Sequence, residues 1–169
     1  MNMRWTGLAT ASSVFLRLAL GISFLSAVAD RFGLWGTYGN PNVAWGNYAR
    51  FVAYTAKLNW SLPAAMIPLV ANISTAAETL FGLLLVFGWK TRTTALLSGV
   101  LLTTFALAMT AALGVKAPLD LSVFSAAGGA LLLATSARFP FSLDELVGRN
   151  KQAQSSARGG SGANHHDST

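Results

Sequence analysis

Long apolar stretches, separated by short polar or glycine-containing turns, dominate the sequence. They cover about residues 8–29, 63–87, 93–113 and 118–137. An α-helix rises about 1.5 Å per residue, so about 20 apolar residues cross a hydrocarbon core about 30 Å thick. The pattern therefore predicts an all-α fold, an integral membrane four-helix transmembrane bundle that forms one domain over residues 1–145.

The segment between the first two stretches, residues 30–62, has a different character. It begins with glycines and an Asn-Pro-Asn sequence, which indicate turns. From Ala44 onward, aromatic and apolar residues such as Trp45 and Tyr48 recur at helical spacing. An amphipathic helix rich in aromatic residues is typical of the headgroup region of a bilayer. We therefore predict an extracytoplasmic aromatic loop with an interfacial helix, which serves either as a membrane anchor or as a lid over a ligand cavity.

The two ends of the chain raise separate questions. The sequence Ala-Val-Ala before Asp30 is compatible with cleavage of a signal peptide, but Arg17 interrupts the apolar stretch, and three further stretches follow, so we favour a retained first helix. From residue 146 the chain is polar and rich in glycine and serine, which predicts a disordered cytoplasmic tail over 146–169. We expect no functional metal site at the adjacent histidines His165 and His166, because such sites need convergent ligands.

Composition supports the membrane class and excludes others. Hydrophobic residues make up 53% of the chain and charged residues 11%, against about 25% charged in soluble domains. The net charge of +6 is spread along the chain without an aromatic-basic patch, so we predict no nucleic-acid partner. The chain has no cysteine, which excludes disulfides and Cys-ligated clusters within it.

Basic residues at the ends of the apolar stretches predict the orientation. With four spans, one side of the membrane collects seven of them: Arg4, Lys90, Arg92, Arg138, Arg149, Lys151 and Arg158. The other side collects four: Arg31, Arg50, Lys57 and Lys116. Because cytoplasmic loops carry the excess of lysine and arginine, both termini are predicted to lie in the cytoplasm.

Four ionisable residues form the candidate intramembrane polar site. Arg17 and Glu78 lie inside apolar stretches, at estimated depths that predict an ion pair between them. Asp30 and Asp120 form an outer tier at span ends, with nearby basic residues as counter-charges. Two interpretations stay open: the buried pair fixes only the register of the bundle, or the carboxylates line a cavity for a proton or a quinone-like head group. For Asp120, simple helix-start chemistry is a further alternative. No nucleophile with its base and no metal-ligand spacing occurs in the spans.

Several segments resemble the DoxX family of small four-helix bacterial membrane proteins. They are Arg17-Leu-Ala-Leu-Gly21, the Ala77–Gly88 segment with the following Thr91-Arg92, Tyr54–Trp60 and Lys116–Asp120. The resemblance extends over about residues 13–137.

The resemblance implies a bundle in the bacterial inner membrane with both termini cytoplasmic. It also implies an association with membrane redox systems, because DoxX/DoxD relatives are linked to quinone-reducing thiosulfate oxidation and to terminal oxidases. Arg17, Glu78 and Asp120, and less closely Asp30, match the polar positions of the family pattern. The leading hypothesis is a subunit or accessory of a quinone-linked redox system, in contact with lipid and with redox-enzyme partner subunits. It would have no intrinsic cofactor and could bind a quinone. The alternatives are a non-catalytic scaffold and, less favoured, a small-solute or proton-coupled carrier.

Overall fold

The computed structural model of the chain describes residues 3–148, and every regular element among them is helical. The helices are α1 Met3–Arg31, α2 Tyr48–Leu58, α3 Ile67–Phe87, α4 Thr91–Leu113, α5 Lys116–Asp120 and α6 Val123–Ala134, with one 3₁₀ turn, Ala64–Met66, before α3. Within the described part of the chain, three segments are long and apolar enough to cross a bilayer: Gly7–Arg31, Ala64–Phe87 and Thr91–Leu113. The prediction of an all-α fold with helices long and apolar enough to span a membrane is confirmed for residues 3–148, whereas the count of four spanning helices stays a prediction.

The fourth predicted span, 118–137, is divided in the structure. The Ser122 N–H bonds to the Leu119 carbonyl in a tight turn that ends α5, and Ser122 itself adopts a left-handed conformation with φ 55°. The twelve-residue α6 then runs for about 18 Å, which is shorter than the hydrocarbon core of a bilayer. Two helices, the short α5 and then α6, thus stand where one continuous helix was predicted.

The helices pack as two pairs. α1 lies along α3 and α4 lies along α6, and the pairs meet through α1 with α6 and through α3 with α4. Gly21 and Gly82 allow the close approach of α1 and α3, because a Cβ on Gly21 would lie 2.9 Å from the Gly82 carbonyl oxygen. A buried apolar cluster joins the four helices: Leu20, Phe24, Leu85, Ala95, Ala130 and Leu133.

The aromatic segment contains the predicted helix. α2 begins after Asn47, whose side chain accepts a hydrogen bond from the Arg50 N–H. α2 lies across α3 and α4. In the loop before it, Phe32, Leu34 and Trp35 are each at least 60% exposed.

The opposite end of the bundle is closed by the chain that follows α6. The Asp144 carboxylate accepts hydrogen bonds from the N–H groups of Lys90 and Thr91 at 2.7 Å each, and so caps α4. The Asp144 N–H donates to the carbonyl of Gly88, which ends α3 in a left-handed conformation. Residues 143–148 are helical, so the predicted tail over 146–169 begins in a helix, and the rest of it lies outside the described residues, as do His165 and His166.

Candidate functional site

A buried ion pair joins the end of α1 to the middle of α3. Arg31 Nη2 donates to both Glu78 oxygens, at 2.6 Å and 2.7 Å, and Arg31 Nη1 donates to Thr75 Oγ1 at 2.9 Å. Arg31 is 3% exposed and Glu78 is 2% exposed. Within the apolar interior such a pair is favourable only with good geometry and further hydrogen bonds. Thr75 supplies one further bond, whereas the buried Arg31 Nε has no partner among the described residues.

Aromatic rings cover the guanidinium on the side away from α3. The Arg31 Cζ lies 3.7 Å from the centre of the Phe51 ring and 5.3 Å from that of Trp45. Phe51 comes from α2 and Trp45 from the loop before it, so the aromatic segment encloses the ion pair. The negative ring faces add to the attraction that keeps the cation in place.

Asp30 holds that loop in position. Its Oδ2 accepts hydrogen bonds from the N–H groups of Ala44 and Trp45, both at 3.0 Å, and the residue is 6% exposed. Asp30 is therefore bonded to backbone N–H groups, whereas the sequence suggested a basic counter-charge. Asp30 positions Trp45 beside Arg31 and supports the ion pair indirectly.

The predicted ion pair between Arg17 and Glu78 is wrong. Arg17 is buried in the middle of α1, fourteen residues before Arg31, and its Nη2 donates to the carbonyl of Phe141 at 2.7 Å. Its guanidinium lies against Gly88, which is ten residues beyond Glu78 and so about 15 Å further along the helix axis. The depth estimate failed because the Gly21–Gly82 crossing sets the register of α1 against α3, and this register brings Arg31 to Glu78.

Asp120 also lies apart from the ion pair. It bonds to Lys116 one helical turn earlier, and both side chains are exposed, at 59% for Asp120 and 83% for Lys116.

The sequence did not predict Arg31 as the partner of Glu78. Arg31 follows the apolar run of the first span, which is a position typical of topology-setting basic residues. Its one distinguishing signal was its place directly after Asp30 at the start of the aromatic segment.

An apolar cavity of about 630 Å³ lies between the two helix pairs, beneath α2. This volume is in the range of sites for small organic ligands, about 300–1,000 Å³. Every helix of the bundle except the short α5 contributes to its wall, as does the α5–α6 junction, and the larger apolar groups include Leu20, Phe24, Phe51, Leu102, Phe105 and Met109. Phe51, Tyr54, Thr55 and Leu58 of α2 contribute to the wall, and both the anchor and the lid stay predictions for the aromatic helix.

The polar groups of the cavity wall are mostly hydroxyls. Among residues 3–148, Arg31 and Glu78 are the only charged lining residues, and they neutralise each other. The wall also carries Ser23, Tyr54 and Ser125. Burial raises the pKa of the Tyr54 phenol above its ordinary value of 10.0, so this group remains a protonated hydrogen-bond donor at physiological pH. Among residues 3–148 no group of three or more metal-ligating side chains occurs.

Taken together, these features define a helical membrane protein in which a buried ion pair links two spanning helices beside an apolar cavity. The chain belongs to the DoxX family, whose sequence profile matches residues 12–114, from α1 through α4. The match includes Arg31 and Glu78 and ends before Asp120, so a family role for Asp120 has no support from it. No curated protein and no solved structure matches the chain.

Proposed function

We propose that this DoxX family protein is a subunit or accessory of a quinone-linked redox system in the bacterial cytoplasmic membrane. The observation that carries the proposal is the cavity of about 630 Å³, with apolar walls and a few polar groups beneath α2. A quinone has the matching chemistry, since its ring and chain are apolar and its carbonyl oxygens accept hydrogen bonds. When bound, it supplies the two-electron redox chemistry that this chain's own side chains lack.

Particular residues would hold such a ligand. The rings of Phe24 and Phe105 offer flat apolar surface, and the Tyr54 hydroxyl is a neutral donor suited to a carbonyl oxygen. Glu78 is engaged by Arg31, so its contribution is to fix the wall of the cavity rather than to accept a proton. Electrons would then be exchanged with a partner subunit, because no cysteine is present in the chain.

The same proposal includes the orientation. In the antiparallel bundle, the end of α3, the start of α4 and the segment after α6 lie together, and they carry Lys90, Arg92 and Arg138. The excess of basic residues there supports a cytoplasmic location of this end, with α2 and the aromatic loop on the outer side.

Purification in mild detergent with native lipids, followed by extraction and mass spectrometry, tests the proposal. The wild-type protein is expected to retain a quinone, and Ala108→Phe, which fills the cavity wall, is expected to lose it. Ala111→Phe is the matched control, because Ala111 is an exposed residue of the same helix outside the cavity. Bulk phospholipid alone in every preparation would overturn the proposal.

A non-catalytic scaffold is the second candidate, and the geometry of the ion pair favours it. Arg31 is held by Glu78, Thr75 and Phe51 at once, which is what a device that fixes helix register requires. In that case the double replacement Arg31→Met with Glu78→Leu should keep both fold and partner binding, because removing both partners of a buried pair is often neutral. If quinone retention survives Ala108→Phe unchanged, the scaffold becomes the better account.

A further inference from the structure

Exposed residues line the cavity where α1 and the start of α6 approach each other. Nearer the end of the bundle that Asp144 closes, α1 and α6 are in contact, since a Cβ on Gly129 would lie 3.1 Å from Leu16 Cδ1. Seven residues further along α1 is Ser23, and seven residues before Gly129 is Ser122, each about 10 Å from that contact along its helix. Both serines are exposed, and both line the cavity. The gap between the helices therefore leads from the outer surface of the bundle into its interior.

The division of the fourth span creates this gap. α5 ends at Asp120 and Ser122 is left-handed, so α6 begins only at Val123. No helix therefore precedes α6 in line with it alongside the outer half of α1. Leu121, which is 68% exposed, and Ser125 complete the rim on the α6 side. On the α1 and α6 sides, this rim consists of three small hydroxyl side chains and one flexible apolar side chain, and the exposed Thr104 lines the cavity from α4.

The charges of the wall limit what the gap can admit. Of the described residues in the wall, Arg31 is the one cation, and it is bonded to Glu78 and covered by Phe51. A phosphate or carboxylate head group would therefore find no free cation and would have to give up its hydration without a partner. Serine and tyrosine hydroxyls instead suit a neutral carbonyl or hydroxyl group.

We propose that a bilayer-resident, single-chain amphiphile with a neutral hydrogen-bonding head group enters the cavity sideways, through the gap rimmed by Ser23, Ser122 and Ser125. The cavity volume fits a head group with one length of chain and is reached from the lipid phase without passing the aromatic segment. This inference shares with the proposed function the premise that the cavity is a ligand site. It holds whether or not the ligand is a redox carrier.

The absence of cysteine from the chain allows a direct test with single-cysteine variants. Ser122→Cys reports on the gap, and Ser12→Cys, on an exposed part of α1 outside the cavity, is the control. Each is labelled with bimane and reconstituted in phosphatidylcholine vesicles that contain increasing mole fractions of a brominated fatty alcohol. Quenching at Ser122→Cys is expected to saturate and to be lost on addition of the unbrominated alcohol, whereas quenching at Ser12→Cys should rise in proportion to the mole fraction.

The outcomes separate the two proposals. Proportional quenching at both positions, or quenching of Ser122→Cys by aqueous iodide, would overturn sideways access. Saturation with a brominated fatty acid at a pH where it is ionised would contradict the neutral head group. Saturable quenching by the alcohol in a protein that retains no quinone would keep the lateral route and remove the redox role. A protein that retains quinone but shows proportional quenching would keep the redox role and remove the lateral route.

Discussion

Gly21 of α1 and Gly82 of α3 face each other where the two helices cross. A Cβ on Gly82 would lie 3.1 Å from the Gly21 carbonyl oxygen, so neither helix can carry a side chain at this point without moving the other. The crossing sets the register of the pair. It brings Arg31 beside Glu78 at one end.

A methyl group at the crossing should therefore destabilise the fold. Gly21→Ala is expected to lower the free energy of unfolding by about 1–3 kcal/mol, which is typical of overpacking, since its Cβ would meet both Gly82 and Val86. Gly128→Ala in α6 is the matched control, because no atom lies within 4 Å of its Cβ, and alanine should stabilise the helix there by about 0.8–1.0 kcal/mol. Unfolding titrations in detergent measure both values, and equal effects would contradict the described crossing.

The ion pair should behave as a unit. Arg31→Met alone leaves the Glu78 carboxylate buried without its partner and is expected to cost about 3–5 kcal/mol. Adding Glu78→Leu to that variant should recover most of the loss, because no uncompensated charge remains. A double-mutant cycle on the free energy of unfolding measures the coupling, and strict additivity would show that the two side chains do not interact.

Arg17 and Glu78 should show no such coupling. They have no shared partner in the structure, and the register separates them by about 15 Å along the helices. The effects of Arg17→Met and Glu78→Gln on the free energy of unfolding are expected to add to within about 0.5 kcal/mol. A larger coupling energy would support the Arg17–Glu78 ion pair that the estimated membrane depths of these residues predicted.

The cap on α4 should contribute more than the exposed ion pair on α5. Asp144→Ala removes the acceptor of two backbone N–H groups and is expected to cost about 0.5–2 kcal/mol. Asp120→Ala removes only an exposed bond to Lys116 and should change stability by no more than about 0.5 kcal/mol. Thermal unfolding of the two variants in one detergent compares them directly, and an equal loss would mean that the contact of Asp144 with α4 does not form.

The stability of the folded protein should depend on alkaline pH through Tyr54. Because burial raises its pKa in the folded protein, the phenol contributes stability that is fully present below the ordinary value of 10.0 and is lost as pH rises through the higher folded value. Tyr54→Phe lacks this titration. The difference in Tm between wild type and Tyr54→Phe should therefore be constant below about pH 10 and move in favour of the variant above it, and a constant difference at every pH would contradict a buried phenol.

Hydropathy alone predicted most of the fold, for a physical reason. Three long spans follow from the length of apolar stretches, and α2 follows from the spacing of Trp45, Tyr48 and Phe51. The interruption at Ser122 was not predictable in this way, because serine and its apolar neighbours are common within spans. It depends on a local left-handed conformation that leaves the hydropathy pattern unchanged.

The candidate site was predicted only in part, because depth in a membrane does not determine which residues touch. Glu78 was found from its cost inside an apolar stretch, and it lines the cavity. Its partner Arg31 depends on the Gly21–Gly82 crossing, which sequence spacing does not reveal. The backbone contacts of Asp30 depend on the path of a loop, and the bond of Arg17 to Phe141 depends on a segment more than a hundred residues later.

The contacts of Asp144 have a consequence for biosynthesis. A chain is made from its N-terminus, so α3 and α4 leave the ribosome before the residue that caps α4 has been added. Until then the N–H groups of Lys90 and Thr91 lack this acceptor, and Arg17 has no Phe141 carbonyl to bind. The segment around Asp144 thus completes the hydrogen bonding of helices that were synthesised earlier. A nascent chain released before residue 144 would lack the cap on α4 at this end of the bundle.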